Sequence, residues 1–85
     1  MADIEDKRGL RQTKQVVAAA LGVEIERIEA GRTLRELGAD EIDQDEISNE
    51  LGHFRGTSSD PAIDLDMNML DLTAVCDKLQ LPKSK

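Results

Sequence analysis

The chain has no Trp, no Tyr and a single Phe, Phe54, among its 85 residues. Proteins that hold single strands stack bases on aromatic rings, and proteins that hold phosphate backbones cluster Lys and Arg. A chain with one ring and a formal net charge of -7 lacks both features, so no nucleic-acid binding is expected. The one cysteine, Cys76, cannot close an internal disulfide. The opening stretch MADIEDKRG lacks the apolar segment of a signal peptide, which leaves a reducing cytoplasm as the expected compartment. No apolar run approaches the ~20 residues that cross a bilayer, so no membrane span is expected. At this length only roughly 60% of the unfolded surface can be buried. That excludes a large enzyme with its own deep pocket.

What is present is aliphatic and charged: 39% of residues are hydrophobic and 34% carry charge. The charge is segregated. Residues 1–35 hold 7 basic and 6 acidic side chains, residues 36–77 hold 1 basic and 12 acidic, and residues 78–85 add three Lys. An acidic block confined to one stretch points to a basic partner drawn in by long-range attraction.

Leu10, Thr13, Val17, Ala20 and Leu21 recur at helical spacing and predict a first amphipathic helix, ended by Gly22. Val23 to Arg32 has neither helical nor strand period and is expected to be a long connection, with Val23, Ile25, Ile28 and Leu34 dipping into the core. Thr33 and Glu36 fit a capping box before a short turn, Leu34 to Leu37, that stops at Gly38. Asp40 is placed to cap a second helix, with Glu41 and Asp43 adding negative charge where the helix dipole favours it. On that helix Ile47, Leu51 and Phe54 fall together, and Ile42 lies apart. After the loop GTSSDP, Ser59 or Asp60 with Pro61 predicts a further helical start. The region to Leu81 is expected to be either one helix or a short one followed by a longer one from about Leu70, capped by Asp71 or Thr73, with Pro82 as the stop. The expectation is an all-α domain over residues 9–81, between flexible termini at 1–8 and 82–85.

Leu21-Gly22-Val23, Leu37-Gly38-Ala39-Asp40-Glu41-Ile42-Asp43, Glu46-Ile47 and Leu51 together resemble the acyl carrier proteins. The resemblance spans residues 10 to 80, and in that family the second helix opens with Asp-Ser-Leu-Asp. It implies a small four-helix bundle with a long first loop, acting in fatty-acid, polyketide or related biosynthesis. The family's Ser carries phosphopantetheine on its hydroxyl oxygen, and Glu41 stands at that position. A carboxylate has no hydroxyl to offer and would give at best a labile mixed anhydride with phosphate, so no phosphopantetheine is expected at Glu41. Asp45, Ser48 and Asn49 occupy positions that in the family are apolar and line the acyl cavity. Polar groups there are costly beside a fatty chain.

The resemblance makes the second helix the docking surface, and its residues Asp40, Glu41, Asp43, Asp45, Glu46 and Glu50 the partner-binding set. Asp43, Glu46 and Glu50 repel one another with no Lys between them, which costs stability and favours a binding role. Glu41 by itself is also an ordinary first-turn helix residue. The expected function is a monomeric, non-enzymatic interaction module for a basic patch on a protein, such as an acyl- or peptidyl-transferring enzyme. The alternative is an active carrier, through Ser48, Ser58 or Ser59 or as a substituted form of a chain with Ser at position 41. A third class is a stand-alone acidic helical protein that binds a regulator or imitates nucleic-acid charge.

Other residues carry weaker signals. Asp64-x-Asp66-x-Asn68 starts like a calcium loop, but Met69 and Val75 stand where Gly and a bidentate Glu are needed. His53 has no second ligand near it in sequence and is expected to be solvated. Cys76 lies on the stripe Leu72, Val75, Cys76, Leu79 and is expected to be a small core residue. Met67 and Met69, with Leu70 and Leu72, are expected to be core or cavity lining. No catalytic triad and no metal set is assigned.

Overall fold

A stretch of 20 residues without proline forms the first helix, α1 (Ala2–Leu21). The computed structural model describes the backbone of residues 2–79 and the side chains of residues 8–79. Among these, α1 is followed by one 3-10 turn (Ile25–Arg27) and two more α-helices, α2 (Glu41–Arg55) and α3 (Met69–Leu79). The all-α class holds, with three α-helices where four are expected. α1 already begins at Ala2, ahead of the boundary expected at residue 9. The expected stop at Pro82 and the tail 82–85 lie outside the described residues.

Each helix end has a local cause. Gly22, at φ 70°, closes α1, with Val23 N–H donating to the Ala18 carbonyl at 3.0 Å and Gly22 N–H to that of Ala19 at 3.3 Å. This is the paired C-terminal closure that a left-handed residue permits. At the start of α2, Asp43 N–H donates to Asp40 Oδ1 at 2.9 Å, and Asp40 N–H to Asp43 Oδ2 at 3.1 Å. Thr33 and Glu36 make the same reciprocal pair at 3.1 and 3.0 Å around the turn before Gly38.

The missing fourth helix is explained by backbone pairing. From Pro61 to Asn68 the chain is irregular. It lies along the first connection: Arg35 N–H donates to the Leu65 carbonyl (2.8 Å), Leu34 N–H to that of Met67 (3.0 Å), and Met69 N–H to that of Ala30 (3.1 Å). Those carbonyls satisfy another segment's donors, and Pro61 is itself buried, with its carbonyl taken by Ser48 Oγ at 2.6 Å. A helix from Pro61 would forfeit these bonds, and the start signal in the sequence is overridden. α3 is capped by neither Asp71 nor Thr73. Asn68 Oδ1 accepts from Asp71 N–H at 2.9 Å, and Asn68 N–H donates back to Asp71 Oδ2 at 3.1 Å.

α1 packs against both other helices, and α2 and α3 meet over a narrower contact. The core joins Val17 of α1, Ile28 and Leu34 of the connection, Ile47 and Leu51 of α2, and Met69, Leu72 and Cys76 of α3. Between α1 and α3 a polar pair is buried in it. Thr13 Oγ1 and Thr73 Oγ1 are 2.7 Å apart, and each hydroxyl also reaches the carbonyl four residues back, Gly9 at 3.0 Å and Met69 at 2.8 Å. Three expected core residues lie outside: Val23 is 40% exposed, Phe54 50% and Leu70 53%. For Phe54 the reason is that α2 buries the line Ile47, Leu51, Arg55. The Arg55 guanidinium reaches Asp77 of α3 and passes Gly9 of α1, where a side-chain carbon would lie 3.3 Å from both Arg55 Nη2 and Thr73 Cγ2. That buried line turns Phe54 to the edge of the α1–α2 seam.

Candidate functional site

Gly38, at φ 97°, and the buried Ala39 bring the chain into the start of α2, with Ala39 N–H held by the Leu34 carbonyl at 3.0 Å. Leu34 is itself fully buried. The first turn of α2 is thus anchored to the core through the preceding connection and presented by its capping box. Asp40 and Asp43 use one carboxylate oxygen each in that box. Asp40 is exposed and Asp43 half-buried, so Asp43 is first of all a structural residue of the helix start.

Glu41, Asp45, Glu46 and Glu50 are exposed. The ion pairs among the described residues are Glu29–Arg32, Arg35–Asp66 and Arg55–Asp77, and none of them involves these four carboxylates. Glu46 and Glu50 are one turn apart and repel. Ile42 is 76% exposed in the same first turn, beside Glu41. α2 therefore shows solvent an apolar side chain and several carboxylates that no cation within the described chain balances. The face can attract and orient a cationic surface.

The six acidic residues do not form one cluster. Glu41 belongs to the helix tip, whereas Glu46 and Glu50 line a groove of about 380 Å³ between α2 and α1. The other side of the groove is Gln15, Val16, Ala19 and Ala20 of α1, and Phe54 closes the α2 side. This contribution of α1 is not anticipated from the sequence. Its signal there is the apolar run Val16 to Ala20, wider than the single stripe through Thr13 and Val17 needs.

No family model, curated protein or solved structure matches this chain.

Asn49 is exposed beside Asp45, and Ser48 is half-buried with its hydroxyl donating to Pro61, so the three polar residues at the expected cavity positions turn mainly to solvent and loop. Ser58 and Ser59 are exposed in the loop after α2. Asp64 Oδ1 accepts from Asp66 N–H, Asp66 pairs with Arg35, and Asn68 caps α3, so the calcium-like triplet is committed to turn and cap bonds. Among the described residues no group of three or more His, Cys, Asp or Glu is arranged to hold a metal ion. His53 is exposed. Cys76 is buried. Its burial pushes the thiol pKa up, partly countered by the Arg55 charge, which keeps it protonated and poorly nucleophilic. No described helix is long and apolar enough to cross a membrane.

Proposed function

We propose that the chain is an acyl-carrier-like helical domain, not phosphopantetheinylated at Glu41, that presents the acidic α2 to a basic patch on a protein partner. It has no catalytic activity of its own and works as a monomer in the cytoplasm. The partner class is an acyl- or peptidyl-transferring enzyme of lipid or related biosynthesis, by resemblance of the string Leu37 to Asp43 to the carrier family. The observation that carries the docking reading is the set of exposed carboxylates on α2, Glu41, Asp45, Glu46 and Glu50, beside no balancing ion pair among the described residues. Like charges on one helix cost stability in isolation and gain it back against a cationic partner.

Two measurements test this. Incubation with coenzyme A and a broad-specificity phosphopantetheinyl transferase is expected to leave the intact mass unchanged, and Glu41→Ser is expected to gain the arm. Labelling of the unaltered chain would show an active carrier using another residue. Pull-down with the wild-type chain as bait then identifies the partner, and Asp45→Lys, Glu46→Lys and Glu50→Lys together, which spare the Asp40–Asp43 capping box, are expected to slow association sharply, since steering acts mainly on the on-rate. Retention of every partner at unchanged affinity in low salt would refute docking through α2.

A further inference from the structure

The groove between α1 and α2 has walls of different chemistry. On the α1 side, Val16, Ala19 and Ala20 supply a short-chained apolar surface that a docking helix can approach closely, with the Gln15 side chain as its polar border. On the α2 side, Phe54 supplies a ring that is half exposed, and Glu46 and Glu50 supply two carboxylates. These two sit one helical turn apart, about 5–6 Å between Cβ atoms. A volume of about 380 Å³ is within the ~300–1,000 Å³ range of ligand pockets. Here the space is an open trough bounded by two helices, a shape that a third helix fits.

We infer that this groove is the seat of a basic amphipathic helix on the partner, with large aliphatic side chains on Val16, Ala19 and Phe54 and Lys or Arg residues one turn apart facing Glu46 and Glu50. Charge complementarity selects the occupant. The carboxylate edge repels nucleic acid and acidic lipid surfaces, and a neutral apolar helix would leave both carboxylates facing it without counter-charge. A helix carrying cations along one edge of its apolar stripe satisfies both walls at once, which is the helix-in-groove mode of recognition. The inference rests on the reading of α2 as a docking surface. It adds the part of α2 that is used, the participation of α1, and the chemistry of the occupant.

The probe is a synthetic peptide of Leu, Ala and Lys with Leu at i, i+4 and i+7 and Lys along one flank, titrated into the isotope-labelled chain and followed by backbone amide shifts at low salt. A peptide of the same composition, scrambled to break the helical spacing, is the control. Shifts are expected at Val16, Ala19, Glu50 and Phe54, with weaker binding of the scrambled peptide. Ala19→Lys, an exposed position, and Phe54→Ala are each expected to weaken binding about tenfold or more, as central anchors do, and Glu41→Lys, outside the groove, about twofold or less. Circular dichroism checks that each variant is folded, and Ala19→Lys decides alone if Phe54→Ala is not. Binding that survives Ala19→Lys and falls with Glu41→Lys overturns the groove while leaving the acidic-helix reading standing. Equal binding of the scrambled peptide also overturns the groove, because charge without shape would then be enough. Absence of any binding at low salt overturns the groove as a helix seat, while the reading of α2 as a docking surface is decided separately by the partner's response to the Lys variants.

Discussion

The Thr13–Thr73 pair is a buried polar contact whose proton count decides its energetics. Three hydrogen-bond contacts surround two hydroxyls: the Oγ1–Oγ1 contact at 2.7 Å, Thr13 to the Gly9 carbonyl at 3.0 Å, and Thr73 to the Met69 carbonyl at 2.8 Å. Two hydroxyls carry two protons, so at most two of the three contacts are hydrogen bonds at one moment. If Thr73 donates to Met69, Thr13 donates either across to Thr73 or back to Gly9. Thr13→Val removes one hydroxyl at nearly constant shape and leaves the Thr73 proton on its own carbonyl. The loss is about one net neutral hydrogen bond, ~0.5–1.5 kcal/mol, and Thr73→Val is equivalent by the same count. The double variant strands no hydroxyl and places two methyl groups in contact in the core. Two bonds become one in each single variant and none in the double, so the two costs are expected to add to within about 0.5 kcal/mol. In a domain of this size 1 kcal/mol moves the Tm by roughly 4–8 °C. With no Trp or Tyr in the chain, far-UV circular dichroism through thermal and urea unfolding is the assay. A coupling of about 1 kcal/mol between the two substitutions would refute the shared-proton account, because it would require all three contacts to be hydrogen bonds at once. A single Val replacement costing above ~3 kcal/mol would also refute it, because it would mean that a buried group is left without a partner.

Three further outcomes are expected. Asn68→Ala, which removes the cap of α3, should cost about 1 kcal/mol in urea unfolding, whereas Ser59→Ala, at the helix start the sequence signals and the fold does not use, should cost almost nothing; the reverse order would contradict the three-helix arrangement. The buried Cys76 thiol should react with a thiol reagent only as fast as the chain opens, and because its folded pKa is raised, its contribution to stability is complete at neutral pH. As pH climbs past the unfolded thiol's ~8.5 that contribution should decline, a trend that Cys76→Ala should flatten and whose persistence in the variant would assign it to other groups. The acidic stretch from Glu36 to Asp77 should repel itself, so added salt or millimolar divalent cation should raise the Tm by screening and weak binding, and a flat Tm would show that these charges are already well separated.

The helix ends that rest on one or two neighbouring residues were legible in the chain. Gly22 supplies a left-handed closure, Asp40 and Asp43 exchange hydrogen bonds across three residues, and Thr33 and Glu36 do the same, so the local pattern contains the whole interaction. The interior positions of α1 and α2 at Val17, Ile47 and Leu51 likewise follow from helical period. Tertiary structure decided what period cannot hold. The segment after Pro61 carries a helix-start signal, yet its carbonyls pair with Leu34 and Arg35, more than 25 residues away in sequence, and Asn68 takes over the capping of α3. Phe54 shares a wheel face with Leu51, but the Arg55–Asp77 pair passing Gly9 turns the buried line of α2 away from it. The acidic character of α2 is a property of composition. Its division into a tip at Glu41 and a groove wall at Glu46 and Glu50 exists only because Val16, Ala19 and Ala20 of another helix lie opposite, and a contact between two helices is written in neither of them alone.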